Sequence, residues 1–253
     1  MRAWHYTPAA DFGLAPGERV KCVRREAGLV ASLLLRLFWA LVRLYLRVWH
    51  RIRVQGLEKL PRETPFVLVA NHTSHLDALV LGAFLPSRLR DRVYPISAGD
   101  TFFAKRSVGW FAALCLNALP LWRRKTCARA LSELRERLAA GRCGYILFPE
   151  GTRARDGALA EFKPGLGMLV AGTSTPVIPC HIEGAYDAWP PGKQLPRPRR
   201  LTLRVGNALA FNGLPDERAG WEAAAVEAHH SVQKLAQRVT CGGFPGARSP
   251  SRL

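Results

Sequence analysis

Two hydrophobic patterns follow one another along the chain. Over residues 24–50, RREAGLVASLLLRLFWALVRLYLRVWH, apolar residues crowd together without a proline, and this predicts one long helix. At 100° per residue, Arg25, Arg36, Arg43 and Arg47 fall within about 20° of one line, and the remaining circumference is largely apolar. From residue 51 the pattern changes to short apolar runs separated by helical periodicity. Strands are predicted at Phe66–Ala70, Val93–Ser97, Tyr145–Phe148, Val177–Ile182 and Leu201–Val205. Helices are predicted at Leu76–Phe84, Val108–Cys115, Cys127–Ala140, Leu166–Ala171 and Trp221–Val239. Within 127–140, Ala130, Leu131, Leu134 and Leu138 share a face, with arginines opposite. Alternation at this spacing implies an α/β fold: a central, mostly parallel sheet flanked by helices, preceded by an amphipathic helix.

The organisation expected is a loose leader over 1–23, the helix over 24–50, an α/β domain over 51–240 and a disordered tail over 241–253. The proline-rich stretch 189–200 reads as a surface loop, and no internal repeat is visible. For the helix over 24–50 three arrangements compete. Spanning a bilayer is opposed by Arg36 and Arg43 by roughly 5–7 kcal/mol, while its leucines, valines and phenylalanine favour insertion by roughly 4–7 kcal/mol. Lying in the interface avoids that conflict, with arginines among headgroups and the apolar face in acyl chains. The third arrangement is a helix packed on the protein's own domain.

Charge sharpens the picture. Lysine and arginine number 37 against 19 acidic residues, a net +18. Such a field attracts polyanions, whether nucleic acid, anionic lipid or phosphate-bearing substrates. No zinc finger, helix-turn-helix signature or aromatic RNA platform supports nucleic acid, which is not expected as a partner. The six cysteines form no CxxC pair and read as free, mostly buried thiols of a reducing compartment. No cleavable signal peptide is evident in the first 28 residues.

Candidate chemistry lies in two loops at strand ends, where α/β folds bind ligands. In VANHTSHLDALV the chain passes from a strand into a helix through Asn71, His72, Ser74, His75 and Asp77. His72 and Asp77 are five apart, but across such a turn the carboxylate can reach the imidazole. A histidine so held is a proton acceptor, and its carboxylate fixes the tautomer. The bland reading is a helix-capping Asp77 and a hydrogen-bonded loop His72. A metal set of His72, His75 and Asp77 lacks further clustered ligands. No GxSxG elbow is present, so His72 would act on a substrate hydroxyl.

The second loop is LFPEGTRARDG. Gly151 lets backbone amides approach an anion, and Arg153 offers a planar fork that matches phosphate oxygens. Glu150 could hold that arginine or bind a hydroxyl. Its bland reading is a charged turn with an internal Glu–Arg pair. Phe162, Lys163, Pro164 and Gly165 add a cation downstream. NALPLWRRK carries Arg123, Arg124 and Lys125 after an apolar run, and taken alone it reads as a solvated basic edge. In STPVIPCHIEGA, Pro176 and Pro179 are expected to shape the ends of a strand.

Taken in order, these segments resemble the 1-acylglycerol-3-phosphate acyltransferases, the lysophospholipid acyltransferase family. NHTSHLD (71–77) matches the family's NHxxxxD. FPEGTRA (148–154) matches FPEGTRS except at the final serine, and Phe162, Lys163 and Gly165 match the FK-G that often follows. LNALPLWRR (116–124) fits the second motif loosely, with Trp122 where an aspartate is common. PVIP (176–179) fits the fourth. The resemblance covers about residues 52–210.

It implies a glycerolipid-acyltransferase-like fold and acyl transfer from acyl-CoA or acyl carrier protein to 1-acyl-sn-glycerol-3-phosphate, giving phosphatidic acid. His72 would be the general base and Asp77 its orienting partner. Arg153, with Glu150, Gly151 and Thr152, would place the acceptor phosphate, Arg123, chosen over the competing Arg124, would be a second contact, and Lys163 a peripheral one. No metal or resident cofactor is required. The chain would work at the cytoplasmic face of an anionic membrane. The same motifs admit another lysophospholipid or hydroxyl acceptor. A catalytically silent basic membrane-binding protein is the rival from another class.

Overall fold

The computed structural model describes residues 29–98, 119–121 and 127–237, together with Gly13. The rest of the leader, the tail, the predicted helix Val108–Cys115 and the segment 122–126, which contains Arg123, lie outside the described residues. Within them the chain runs α1 (Leu29–Val48), β1 (Arg53–Gln55), β2 (Phe66–Ala70), α2 (Leu76–Phe84), α3 (Ser87–Arg90) and β3 (Val93–Ala98). It continues through β4 (Leu119–Leu121), α4 (Cys127–Ala139), β5 (Gly144–Leu147) and α5 (Gly165–Val170). It ends with β6 (Val177–Glu183), α6 (Ala185–Ala188), β7 (Thr202–Val205) and α7 (Arg218–Gln237).

Among the described residues the strands form one seven-stranded sheet in the order β1-β7-β6-β2-β5-β3-β4. Every neighbouring pair is parallel except β6 and β7. The central β2 is buried along its whole length, as a strand covered on both faces must be. Its side chains alternate. Phe66, Leu68 and Ala70 join one core with residues of α1 and α2, and Val67 and Val69 join a second core with residues of α4, α5 and α7. Leu131, Leu134 and Leu138 line that second core, as their shared helical face predicts.

The predicted strands and the described predicted helices recur within a few residues. Two strands were not foreseen. β1 and β4 have three residues each, too short for an alternating pattern, and each exists through pairing with β7 or β3. Pro179 departs from expectation as well, lying inside β6 rather than at its end. Its carbonyl accepts from the Gly206 N–H just beyond β7. A strand residue directs its N and O to one edge, so the missing N–H falls where the β7 ladder stops.

The first helix rests on the domain along one face. Trp39 and Leu46 are buried, with Phe38, Val42 and Tyr45 packed beside them. Gly82 of α2 makes room, since a Cβ there would lie 2.3 Å from the Trp39 ring. A second face, Leu33, Leu34, Leu37, Leu41, Leu44 and Val48, is exposed. Arg36 and Arg47 are exposed, whereas Arg43 turns inward and donates to the carbonyl of Ala83 through Nε at 2.9 Å and NH2 at 2.6 Å. Among the described residues no helix is long and apolar enough to cross a membrane.

Candidate active site

Parallel pairing of β2 with β5 on one side and β6 on the other places three carboxyl-terminal loops side by side. In such sheets this edge is where ligands bind. Asn71, the first residue past β2, locks the frame. Its amide donates to the Ile182 carbonyl at 2.9 Å and accepts the Ile182 N–H at 2.8 Å, joining the loop to β6.

The turn from β2 into α2 folds Asp77 back onto His72. Nδ1 of His72 lies 2.9 Å from Oδ2 of Asp77. The same oxygen accepts the backbone N–H of Thr73 at 2.7 Å and of Ser74 at 2.8 Å. Asp77 is fully buried while the His72 side chain is 15% exposed. A buried carboxylate that takes the ring N–H leaves Nε2 as the imidazole's acceptor. The ring stacks on Phe148, with centroids 4.2 Å apart and planes 20° from parallel. The hydrogen bond joins the two residues as the turn allowed, and Asp77 also takes two backbone amides at the start of the helix.

The second loop grips the first by its backbone. Oε1 of Glu150 accepts the His72 N–H at 2.7 Å, and Ala154 N–H donates to the His72 carbonyl at 2.8 Å. Oε2 of Glu150 accepts the Ala160 N–H at 3.3 Å. Glu150 is thus buried against the chain's own amides and does not form the internal pair with Arg153 that its position suggested. Burial pushes its carboxyl up to about 7, against the two amide bonds that favour the charged form. Arg153 instead donates through NH1 to Nε2 of His75.

Gly151 has φ +76°, and a Cβ there would meet Nζ of Lys163 at 2.8 Å. Glycine suits that turn because other residues are strained at positive φ. The Lys163 N–H donates to the Pro149 carbonyl at 3.0 Å, which seats the FK segment on the turn. Thr152 is exposed on the same turn. The fold therefore gathers His72, Asp77, Glu150, Gly151, Thr152, Arg153 and Lys163 along one edge of the sheet, and Arg123 lies outside the described residues. Sequence reasoning missed three contributors. Phe148 was visible within the motif but without its stacking role. Trp189, in the proline-rich loop, had no local signal. His75 had been weighed only as a metal ligand.

A family model described as Acyltransferase matches residues 51–183. That is more than half of the chain, and the chain belongs to this family. It is 32% identical over 162 residues to "1-acyl-sn-glycerol-3-phosphate acyltransferase BAT2, chloroplastic" of Brassica napus, covering 62% of this chain and 43% of that protein. It is 29% identical over 203 residues to the mouse "1-acyl-sn-glycerol-3-phosphate acyltransferase alpha", covering 78% of this chain and 67% of that protein. The chain thus spans under half the length of the first and about two thirds of the second. Among solved structures, the 1-acyl-sn-glycerophosphate acyltransferase PlsC from Thermotoga maritima superposes with a TM-score of 0.64 at 26% identity, covering 85% of each chain.

Proposed function

We propose that this chain transfers a fatty acyl group from acyl-CoA or acyl carrier protein to the free hydroxyl of 1-acyl-sn-glycerol-3-phosphate. Phosphatidic acid and a free thiol are the products. The names of the relatives and of the solved neighbour support that acceptor. The observation that carries the chemistry is the 2.9 Å bond from His72 to a buried Asp77.

Nε2 of His72 takes the hydroxyl proton as the oxygen attacks the thioester carbonyl. The new C–O bond forms, the C–S bond breaks, and the proton passes from the imidazolium to the departing sulfur. Asp77 holds the ring by its Nδ1–H and stabilises the transient positive charge. No acyl-enzyme intermediate is involved. Arg153 grips the acceptor phosphate, with Lys163 and the exposed Thr152 at the margin. Glu150 acts through the backbone of His72. Purified protein, acyl-CoA and a panel of lysolipids, with products weighed by mass spectrometry, test this reading. Phosphatidic acid from the lysophosphatidate alone is expected, and acylation of a different lysolipid instead would move the assignment.

The exposed stripe of α1 supports attachment to a leaflet. Its leucines would enter acyl chains while Arg36 and Arg47 meet anionic headgroups. Deleting the helix would also strip Trp39 and Leu46 from the core, so the sharper probe is Leu37→Glu with Leu41→Glu. Sedimentation with vesicles of anionic phospholipid should fall while the melting temperature holds. Unchanged sedimentation removes the attachment role.

A further inference from the structure

Beside the His72–Asp77 pair, the two loops meet a second time. NH1 of Arg153 donates to Nε2 of His75. The His75 ring lies against Trp189, with centroids 5.1 Å apart. Trp189 is tied back to the same loop, because Ser74 Oγ donates to its carbonyl at 2.8 Å. A ring nitrogen that accepts belongs to a neutral imidazole with its proton on Nδ1. Burial first, then Arg153 and His72, hold the His75 pKa down to about 4, so the ring is neutral under ordinary conditions. Among the described residues no carboxylate is paired with Arg153. Asp77 attracts it only from beyond hydrogen-bond range, and its Oδ2 already serves His72, Thr73 and Ser74.

We propose that His75 is a positioning residue whose neutral ring aims the Arg153 guanidinium at a phosphate monoester while leaving its charge undiminished. The inference rests on the reading above, in which Arg153 receives the acceptor phosphate. Consider the alternatives for a half-buried arginine. A carboxylate partner would fix its direction but offset the charge that a phosphate needs. With no partner, a long side chain would have to be ordered each time a ligand arrives. A neutral acceptor braced on an indole fixes direction without neutralising charge, and the remaining N–H donors of the fork stay available. The same device sets specificity, since a guanidinium with its charge intact favours a phosphate dianion over zwitterionic or neutral headgroups.

The test compares His75→Ala, His75→Phe, His75→Gln and Arg153→Ala in the full chain. Phenylalanine keeps a ring against Trp189 but accepts no hydrogen bond, and glutamine restores an acceptor. Two readouts are taken, the KM and kcat for 1-acyl-sn-glycerol-3-phosphate and the calorimetric Kd for sn-glycerol 3-phosphate, which needs no turnover. His75→Ala and His75→Phe should raise both KM and Kd roughly tenfold, the size of one charge-assisted hydrogen bond, with kcat little changed and His75→Gln close to wild type. His75→Ala added to Arg153→Ala should have no further effect.

Wild-type Kd in a folded His75→Phe, or a kcat loss that glutamine does not rescue, overturns the proposal. If Arg153→Ala raises Kd and His75→Phe does not, the positioning role fails while the phosphate reading stands. If Arg153→Ala binds like wild type, both fail. Binding that follows the expected pattern without acyl transfer leaves the positioning role supported and removes the proposed reaction.

Discussion

At the N-terminal end of α2, Asp77 gathers the N–H groups of Thr73 and Ser74 and the ring N–H of His72. At the C-terminal end, Arg43 donates to the Ala83 carbonyl, and Arg90 donates to Gly82 at 2.9 Å and Leu85 at 2.8 Å. The carbonyl end follows from the helix terminus, which leaves carbonyls unpaired and favours positive charge, whereas Thr73 and Ser74 precede the helix, and Asp77 in its first turn closes the loop by taking their amides. The difference lies in what is left over. Both arginines bond the helix's carbonyls, and Arg90 also lies 5.2 Å over the Trp39 ring. That end is a clasp for α1. At the other end Nε2 of His72 has no hydrogen-bond partner among the described residues, and the side chain keeps a little exposure. One nine-residue helix thus has a structural end and an end that carries the proposed reactive pair.

The largest effect that would break this contrast is at the reactive end. His72→Ala should cut turnover by roughly 100-fold or more and leave the melting temperature close to wild type. Asp77→Ala should cut turnover as well, but also cost about 1–3 kcal/mol of stability, because it strands two buried amides. Steady-state kinetics with chemical denaturation of both variants checks this, and wild-type turnover in His72→Ala would refute the assignment. At the clasp end the balance should reverse. Gly82→Ala drives a methyl into the Trp39 ring and should cost about 1–3 kcal/mol, with kcat changed by no more than about twofold because the sites are distant. A larger fall in kcat than in stability would show that the two ends are coupled.

The smallest effect concerns Glu150, which braces the reactive end. Its carboxyl is raised from 4.5 to about 7 by burial, so the folded chain holds a proton that the unfolded chain has released. The stability Glu150 contributes is complete below about 4.5 and declines as pH rises toward 7. The melting temperature of wild type relative to Glu150→Gln should fall across that window. A pH-independent difference between the two would show that Glu150 does not titrate there.

The His72–Asp77 pair was readable because the turn that closes it is local. The same holds for Gly151 and for the apolar face of Leu131, Leu134 and Leu138. The partners of Glu150 and Arg153 were not readable. Apart from the Ala160 N–H, those partners, His72 and His75, lie 78 residues away in the sequence, and adjacency of β2 and β5 is what joins them. The net positive charge was read as a field for anionic partners, yet part of it works internally. Arg135 donates to the carbonyls of Met168 and Ala171 at the end of α5, as Arg43 and Arg90 do for α2. Composition counts such arginines together with those that face solvent.

Element type and the meeting of His72 with Asp77 are thus written in short stretches of chain, because backbone periodicity and a five-residue turn are local physics. Strand order, the choice of Ala83 as the partner of Arg43, and the meeting of Arg153 with His75 are properties of assembly. A charged or hydrogen-bonding side chain takes whichever partner the packed sheet brings within reach, and spacing along the chain carries no record of that choice.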